Sequence, residues 1–187
     1  MELITVILIG IGVIVILWFF LTYNSLIGLR NSVKNAFSGI DVQLKRRSDL
    51  IPNLINTVKG YAKHEKELLE RVTKARTSIM DSSAQGDVKG MAQGENMLSG
   101  ALKSVFAVAE NYPDLKANQN FLELQEQLGE TEDQIAASRR IYNSNVTEYN
   151  NKIEMMPSNI IASMFNFKAK DFFEAQESER KNVKVEF

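Results

Sequence analysis

The stretch Leu3–Tyr23, LITVILIGIGVIVILWFFLTY, carries no charged residue, and its reading decides how the rest of the chain is understood. At about 1.5 Å of rise per residue, a helix of that length is about 30 Å long, the thickness of a bilayer's hydrocarbon core. It is therefore read as a membrane span. A cleaved secretory signal needs a basic start, a shorter apolar core and a small-x-small cleavage site. Here Met1-Glu2 supplies no base, and the run closes on Trp18-Phe19-Phe20 and Tyr23, bulky aromatics that suit the interfacial belt of an uncut helix. The chain has no Cys to acylate, so it is not a lipoprotein.

Lys and Arg are kept preferentially on the cytoplasmic side of a span. None precedes this one, whereas Arg30 and Lys34 follow it closely and Lys45, Arg46 and Arg47 lie a little beyond. The expected topology is a single-pass protein of the cell (inner) membrane, N-terminus outside and the bulk of the chain cytoplasmic. Lipid contact is assigned to residues 3–23.

Residues 24–187 are one domain's worth of chain, enough to bury a core without metal or disulfide staples. With 22 Lys and Arg against 23 Asp and Glu, the net charge of −1 offers no overall field to recruit nucleic acid or acidic substrates. The absence of Cys removes disulfides, thiolate metal sites and Cys nucleophiles together. Only three Pro, among many Glu, Lys, Gln, Leu and Ala, favour long helices. The expected fold is all-α: a transmembrane anchor over 1–23, a long antiparallel bundle of roughly three to four helices over 24–170, and a charged tail over 171–187. In that tail Phe172 and Phe173 are the candidates to dock.

After the span the apolar positions Leu26, Leu29, Val33, Phe37, Ile40 and Leu44 keep helical spacing, so the membrane helix is expected to run on into the domain. Ser48-Asp49-Leu50-Ile51-Pro52 interrupts it, with Asp49 placed to cap a new start and Pro52 to sit in its first turn. That is either a kink in one long helix or a break between two. A further amphipathic helix is expected from Ile51 to near Met80, then a loop over 81–87 and a helix from about Asp87 to Asn111. Gly86, Gly90 and Gly94 recur every four residues there. Their spacing is open to two readings, a frayed helix start or close approach of a neighbouring helix or subunit. Tyr112-Pro113-Asp114 stops that helix, with Asp114 placed to cap the next.

The last long helix is the best patterned, with Phe121, Leu124, Leu128, Ile135, Tyr142, Val146, Tyr149 and Ile153 forming a heptad seam. Polar gaps fall at Thr131/Glu132 and Ser138/Arg139. Tyr142-Asn143-x-x-Val146 repeats one heptad later as Tyr149-Asn150-x-x-Ile153, so both rings share a face. Met156-Pro157 ends the helix, and Ile160, Ile161, Met164, Phe165 and Phe167 form a short apolar piece beyond it.

Three stretches carry a resemblance to a known family: Gly39 to Glu65, GIDVQLKRRSDLIPNLINTVKGYAKHE; Glu110 to Ala117, ENYPDLKA; and Arg140 to Ile153, RIYNSNVTEYNNKI. In order and spacing, and with a preceding single span, they resemble the LemA family of bacterial membrane-anchored proteins. The resemblance implies a single-pass anchor carrying an antiparallel helical bundle on the cytoplasmic side, without an established catalytic residue or cofactor. A relative associated with building magnetosome membranes turns the expectation toward membrane organisation. Phe37 stands where members often carry Trp, and Met156 where Phe is common before the Pro. Both exchanges keep apolar bulk. The motif positions Pro52, Asn53, Tyr112, Pro113, Asp114, Tyr142, Asn143, Tyr149 and Asn150 are taken as structural.

Chemistry is sparse. His64 is the only His, and in His64-Glu65-Lys66-Glu67-Leu68 a Leu stands where a zinc-protease motif needs its second His. No Gly-rich phosphate loop, nucleophile elbow or nucleotide fingerprint occurs. Asn145-Val146-Thr147 matches a glycosylation sequon but falls inside the best helix, on the expected cytoplasmic side. The densest polar cluster is Asp41, Gln43, Lys45, Arg46, Arg47 and Asp49. It reads equally as pairing within one helix, Asp41 with Lys45 and Asp49 with Arg46, or as an Arg-lined contact to another helix or subunit. With Phe165 and Phe167 it makes up the candidate interaction surface. No enzyme activity, cofactor, metal or small-molecule substrate is expected. The expected function is a membrane-anchored helical scaffold that self-associates or docks a membrane protein partner. The alternative is a membrane-linked signalling module.

Overall fold

The computed structural model describes residues 2–62 and 64–173. Six helices follow one another: α1 Glu2–Tyr61, α2 Lys66–Gln85, α3 Val88–Ala109, α4 Pro113–Lys116, α5 Gln119–Glu154 and α6 Ser158–Met164. Among the described residues there is no strand, and the expected all-helical architecture with a long apolar N-terminal helix is what the chain adopts. The helices divide between two compact units. One contains the described N-terminal residues to Phe37 together with Ile141–Lys170, the other Ser38–Arg140 together with the described residues 171–173.

In the second unit the antiparallel order is read from the contact register. Ser83 on α2 reaches Asp41 on α1, and Arg76, about two turns earlier in α2, reaches Ser48 further along α1. Arg46 of α1 faces Glu130 of α5, and Tyr61, later in α1, meets Asn118 just before α5. Ile40, Leu44, Ile51, Leu54 and Val58 form the buried stripe of α1 here, and Val72, Ala75 and Ile79 of α2, Leu98, Leu102 and Val105 of α3, and Phe121, Leu124, Leu128 and Ile135 of α5 are buried too. Phe173 is buried in this unit, whereas Phe172 stays largely exposed. The remainder of the expected charged tail, 174–187, lies outside the described residues.

Several boundaries differ from the sequence expectation. Pro52 neither breaks α1 nor starts a new helix, and Asp49 caps nothing, because α1 runs through both. A proline inside a helix removes the N–H that would bond the carbonyl four residues back, here that of Ser48. Arg76 Nε donates to that oxygen at 2.8 Å, so α2 supplies the hydrogen bond that Pro52 cannot. The turn comes instead at 62–65, splitting the helix expected from Ile51 to Met80. The loop expected over 81–87 shrinks to Gly86-Asp87. Gly86 takes the left-handed conformation that ends α2 (φ 66°), and the Asp87 side chain caps α3 by accepting from the Gly90 N–H.

Of the three spaced glycines, Gly94 marks a close approach of helices within the chain. A Cβ there would lie 2.8 Å from Ile79 Cγ1 and 3.1 Å from the Ile79 backbone nitrogen. Asp114 does not cap the next helix, since it sits in the first turn of the one-turn α4. Asn118 caps α5, accepting from the Phe121 N–H at 3.1 Å.

In the first unit, Thr22, Leu26 and Val33 of α1 and Tyr142, Val146 and Tyr149 of α5 are buried. Ile161 and Ala162 of α6 pack with Leu26, and Trp18, Phe19, Tyr23, Ile153 and Phe167 close around them. The most apolar eighteen-residue window of α1 is long enough to cross a membrane, and none of it is buried against the chain.

Candidate functional site

The polar cluster singled out in the sequence lies in the second unit, and its members part company. Arg47 is 1% exposed. Its position follows from helical period: it stands three residues after Leu44 and four before Ile51, on the buried stripe of α1. Its guanidinium donates through Nη1 to the Glu95 carboxylate and, at 3.1 Å, to Ser99 Oγ on α3. Through Nη2 it donates to Glu132 Oε2 on α5 at 3.4 Å. Ser99 Oγ in turn donates to Glu95 Oε1 at 3.2 Å. One buried cation thus ties α1 to both α3 and α5.

Glu95 and Ser99 did not emerge from the sequence, although a signal for Glu95 was there. It stands four after Met91 and three before Leu98, a carboxylate on an apolar stripe. Glu132 fills one of the polar gaps of the α5 seam. Beside the cluster lies a cavity of about 190 Å³ lined by Glu95, Ser99, Glu132, Asp133 and Arg139, and Glu95 Oε2 and Arg47 Nε are buried without a hydrogen-bond partner. Burial pushes the Glu95 carboxyl above its usual range, more than the Arg47 charge and the Ser99 hydrogen bond pull it down.

Around this core the other candidates face outward. Lys45, Arg46 and Asp49 are exposed, Asp41 and Gln43 half-buried. Arg46 meets Glu130 at 3.7 Å with both side chains more than half exposed, a pair that contributes little. Asp41 accepts from the Ser83 hydroxyl. Together with Lys45, Asp49 and Met80 these residues border a groove of about 260 Å³ between α1 and α2.

The motif residues serve local structure. Pro52 and Asn53 are exposed on α1. Pro113 opens α4, with Asp114 behind it, and the Tyr112 hydroxyl donates to Glu65 Oε1 at 3.1 Å, bracing the 62–65 turn.

In the first unit, Tyr142 and Tyr149 are both buried. Tyr149 donates its hydroxyl to the Lys168 carbonyl at 3.0 Å. Asn150 accepts from the Lys170 N–H at 2.9 Å and donates to the Lys170 carbonyl at 3.0 Å, while Asn143 is half-buried. The second Tyr-Asn pair, Tyr149-Asn150, therefore straps the chain after α6 onto α5. Burial pushes the Tyr149 hydroxyl upward, against a smaller pull from Arg30.

The strap carries Phe165 and Phe167 onto α1. The Phe165 ring lies 4.7 Å from Tyr23 and 5.9 Å from Phe19, and Phe167 lies 6.0 Å from Tyr23. The Arg30 guanidinium sits 5.5 Å over the Phe167 ring, a cation–π contact. No group of three or more His, Cys, Asp or Glu able to hold a metal occurs among the described residues.

Comparison with known proteins adds the following. The family model described as LemA family matches residues 36–187. Protein LemA of Metamycoplasma hominis is 30% identical over 164 residues, 86% of this chain and 72% of that protein. Magnetosome protein MamQ 2 of Paramagnetospirillum magneticum is 23% identical over 175 residues, 81% of this chain. Magnetosome protein MamQ of Magnetospirillum gryphiswaldense is 20% identical over 174 residues. The chain spans 64% of the length of each of these magnetosome proteins.

Proposed function

This chain belongs to the LemA family, and from that premise we propose that it is a membrane-anchored helical scaffold with no chemistry of its own, docking partners or further copies at the cytoplasmic face. Its kinship to magnetosome proteins and its long apolar N-terminal helix fit a membrane-associated helical protein. The observation that carries the proposal is the fully unburied apolar window of α1. Apolar surface of that extent is not left in water, and a bilayer is the environment that covers it.

The span is Leu3–Tyr23, with the basic residues Arg30 and Lys34 next to it on the cytoplasmic side. Lys45 and Asp49, which border the groove with Met80, and the exposed Arg46, which faces Glu130, are assigned to partner docking. Arg47 is assigned to holding the helices that present them.

The test is the mass of the full chain extracted from membranes in mild detergent, for wild type and for Lys45→Glu/Arg46→Glu. The scaffold reading expects a wild-type particle heavier than one chain, or one carrying a stable membrane partner, and loss of that excess in the variant. A wild type that runs as one chain with nothing bound contradicts it.

A further inference from the structure

Of the surfaces left uncovered, one adjoins the span itself. α6 presents Ile161 and Ala162 inward onto Leu26 of α1, but its other face is also apolar. Ile160 is 55% exposed and Met164, one turn on, 65%. Met155 and Met156 just before α6 are 62% and 78% exposed, and Phe165 just after it 45%. No charged residue occurs from Met155 to Phe167. A short helix facing water would carry polar groups at those positions, so the face calls for a cover.

Its place in the fold identifies that cover. The Phe165 ring touches Phe19 and Tyr23, and α6 packs with Trp18, Phe19 and Leu26. Trp18 to Tyr23 make up about the last 8 Å of the apolar run of α1, the level at which aromatic residues mark a membrane interface. The exposed face of α6 is therefore continuous with the lipid-facing surface of the span. Arg30 stacks on Phe167 and Lys168 and Lys170 follow the apolar piece directly, while the acidic Glu154 precedes it. Apolar side chains at acyl depth with Lys and Arg reaching the phosphate level are the composition of a helix lying in the interface plane.

We propose that Met155–Phe165, with α6 at its centre, lies in the lipid headgroup–acyl boundary as a second membrane contact beside α1. The occupant of this surface is lipid. The Tyr149 and Asn150 bonds to Lys168 and Lys170 hold the returning chain at that level. The proposal rests on reading Leu3–Tyr23 as a span, and its test separates the two.

The chain has a single tryptophan, Trp18, so wild-type emission in proteoliposomes reports on the span. Trp18→Phe/Met164→Trp moves the only indole to α6, and Trp18→Phe/Ile160→Trp places it one turn away should the first variant fold poorly. Each protein is reconstituted in vesicles containing phospholipid brominated near the headgroup, or deep in the chains. The expected result is that Trp18 is quenched and that the α6 indole is quenched too, more strongly by the shallow bromines than by the deep ones.

Quenching of Trp18 alongside an α6 indole with water-like, unquenched emission overturns the lipid contact and leaves the span standing. Blue-shifted but unquenched α6 emission overturns it in favour of a protein cover such as a second copy. If Trp18 itself is unquenched, the span reading falls and the proposal with it.

Discussion

Removing Arg47 alone would strand the Glu95 carboxylate in the core, whereas replacing both by methionine and leucine leaves no buried charge of the pair behind. Breaking a buried pair from one side costs about 3–5 kcal/mol, and replacing it whole by well-packed apolar residues is often neutral or stabilising by about 1–4 kcal/mol. Arg47→Met is therefore expected to lower unfolding stability by about 3–5 kcal/mol, and Arg47→Met/Glu95→Leu to recover most of it, measured by urea denaturation of the detergent-solubilised chain. A double variant no better than the single would mean that the pair itself, not the stranded charge, holds the helices.

Glu95 also gives the protein a pH dependence. Its carboxyl is raised above 4.5 in the folded chain, so the native state binds the proton more tightly than the unfolded one. The stability it contributes is complete below the unfolded value and is lost as pH rises through the folded one. Glu95→Gln, which keeps a neutral acceptor for Arg47, should gain stability relative to wild type as pH rises above the ordinary carboxylate range and through the raised value of Glu95. A relative loss over that rise would mean that Arg47 outweighs burial.

These residues were legible only in part. Lys45-Arg46-Arg47 reads equally as pairing within one helix or as a contact to another, because three adjacent charges do not by themselves show which one points inward. A place three after Leu44 and four before Ile51, on the same helix stripe, is what singles out Arg47. Its partners lie 48 and 85 residues away, and no local pattern joins them.

Among the elements, α1 poses the sharpest question, since it carries Pro52 in its interior. An interior proline costs a helix about 3 kcal/mol, offset here by the Arg76 hydrogen bond to the Ser48 carbonyl. Pro52→Ala is expected to stabilise the second unit by up to about 3 kcal/mol. Arg76→Ala should cost about 1–3 kcal/mol in wild type, where it leaves that carbonyl unsatisfied, and roughly half or less in the Pro52→Ala background, where the restored N–H takes its place. Equal costs in both backgrounds would show that Arg76 acts elsewhere.

The same contact explains why, of the kink and the break that Pro52 offered, the break is not what forms there. Pro52 is a strong local stop signal, and its compensation comes from another helix. The true turn at 62–65 contains neither Gly nor Pro and is braced from a distance by Tyr112. By contrast most of the α5 seam was legible, because Phe121, Leu124, Leu128 and Ile135, then Tyr142, Val146 and Tyr149, keep heptad spacing and are buried, whereas Ile153 at its end is only partly buried. Asn118 went unnoticed as its cap because the nearby Pro113-Asp114 offered a stronger signature.

At the scale of the whole molecule, an apolar run of bilayer length, an all-helical body and LemA family membership converge on attachment to a membrane. The fold class was readable because helical periodicity and the uncharged run are local properties of the chain. What the exposed surfaces meet was not, since partner choice depends on which side chains the packing leaves outside. The central claim is that Leu3–Tyr23 remains in the working protein as its anchor. Its most direct measurement is the intact mass of the protein recovered from carbonate-washed membranes. The account predicts a membrane-retained species whose mass includes residues 3–23. A species that begins after residue 20, or release of the protein into the carbonate wash, would contradict it.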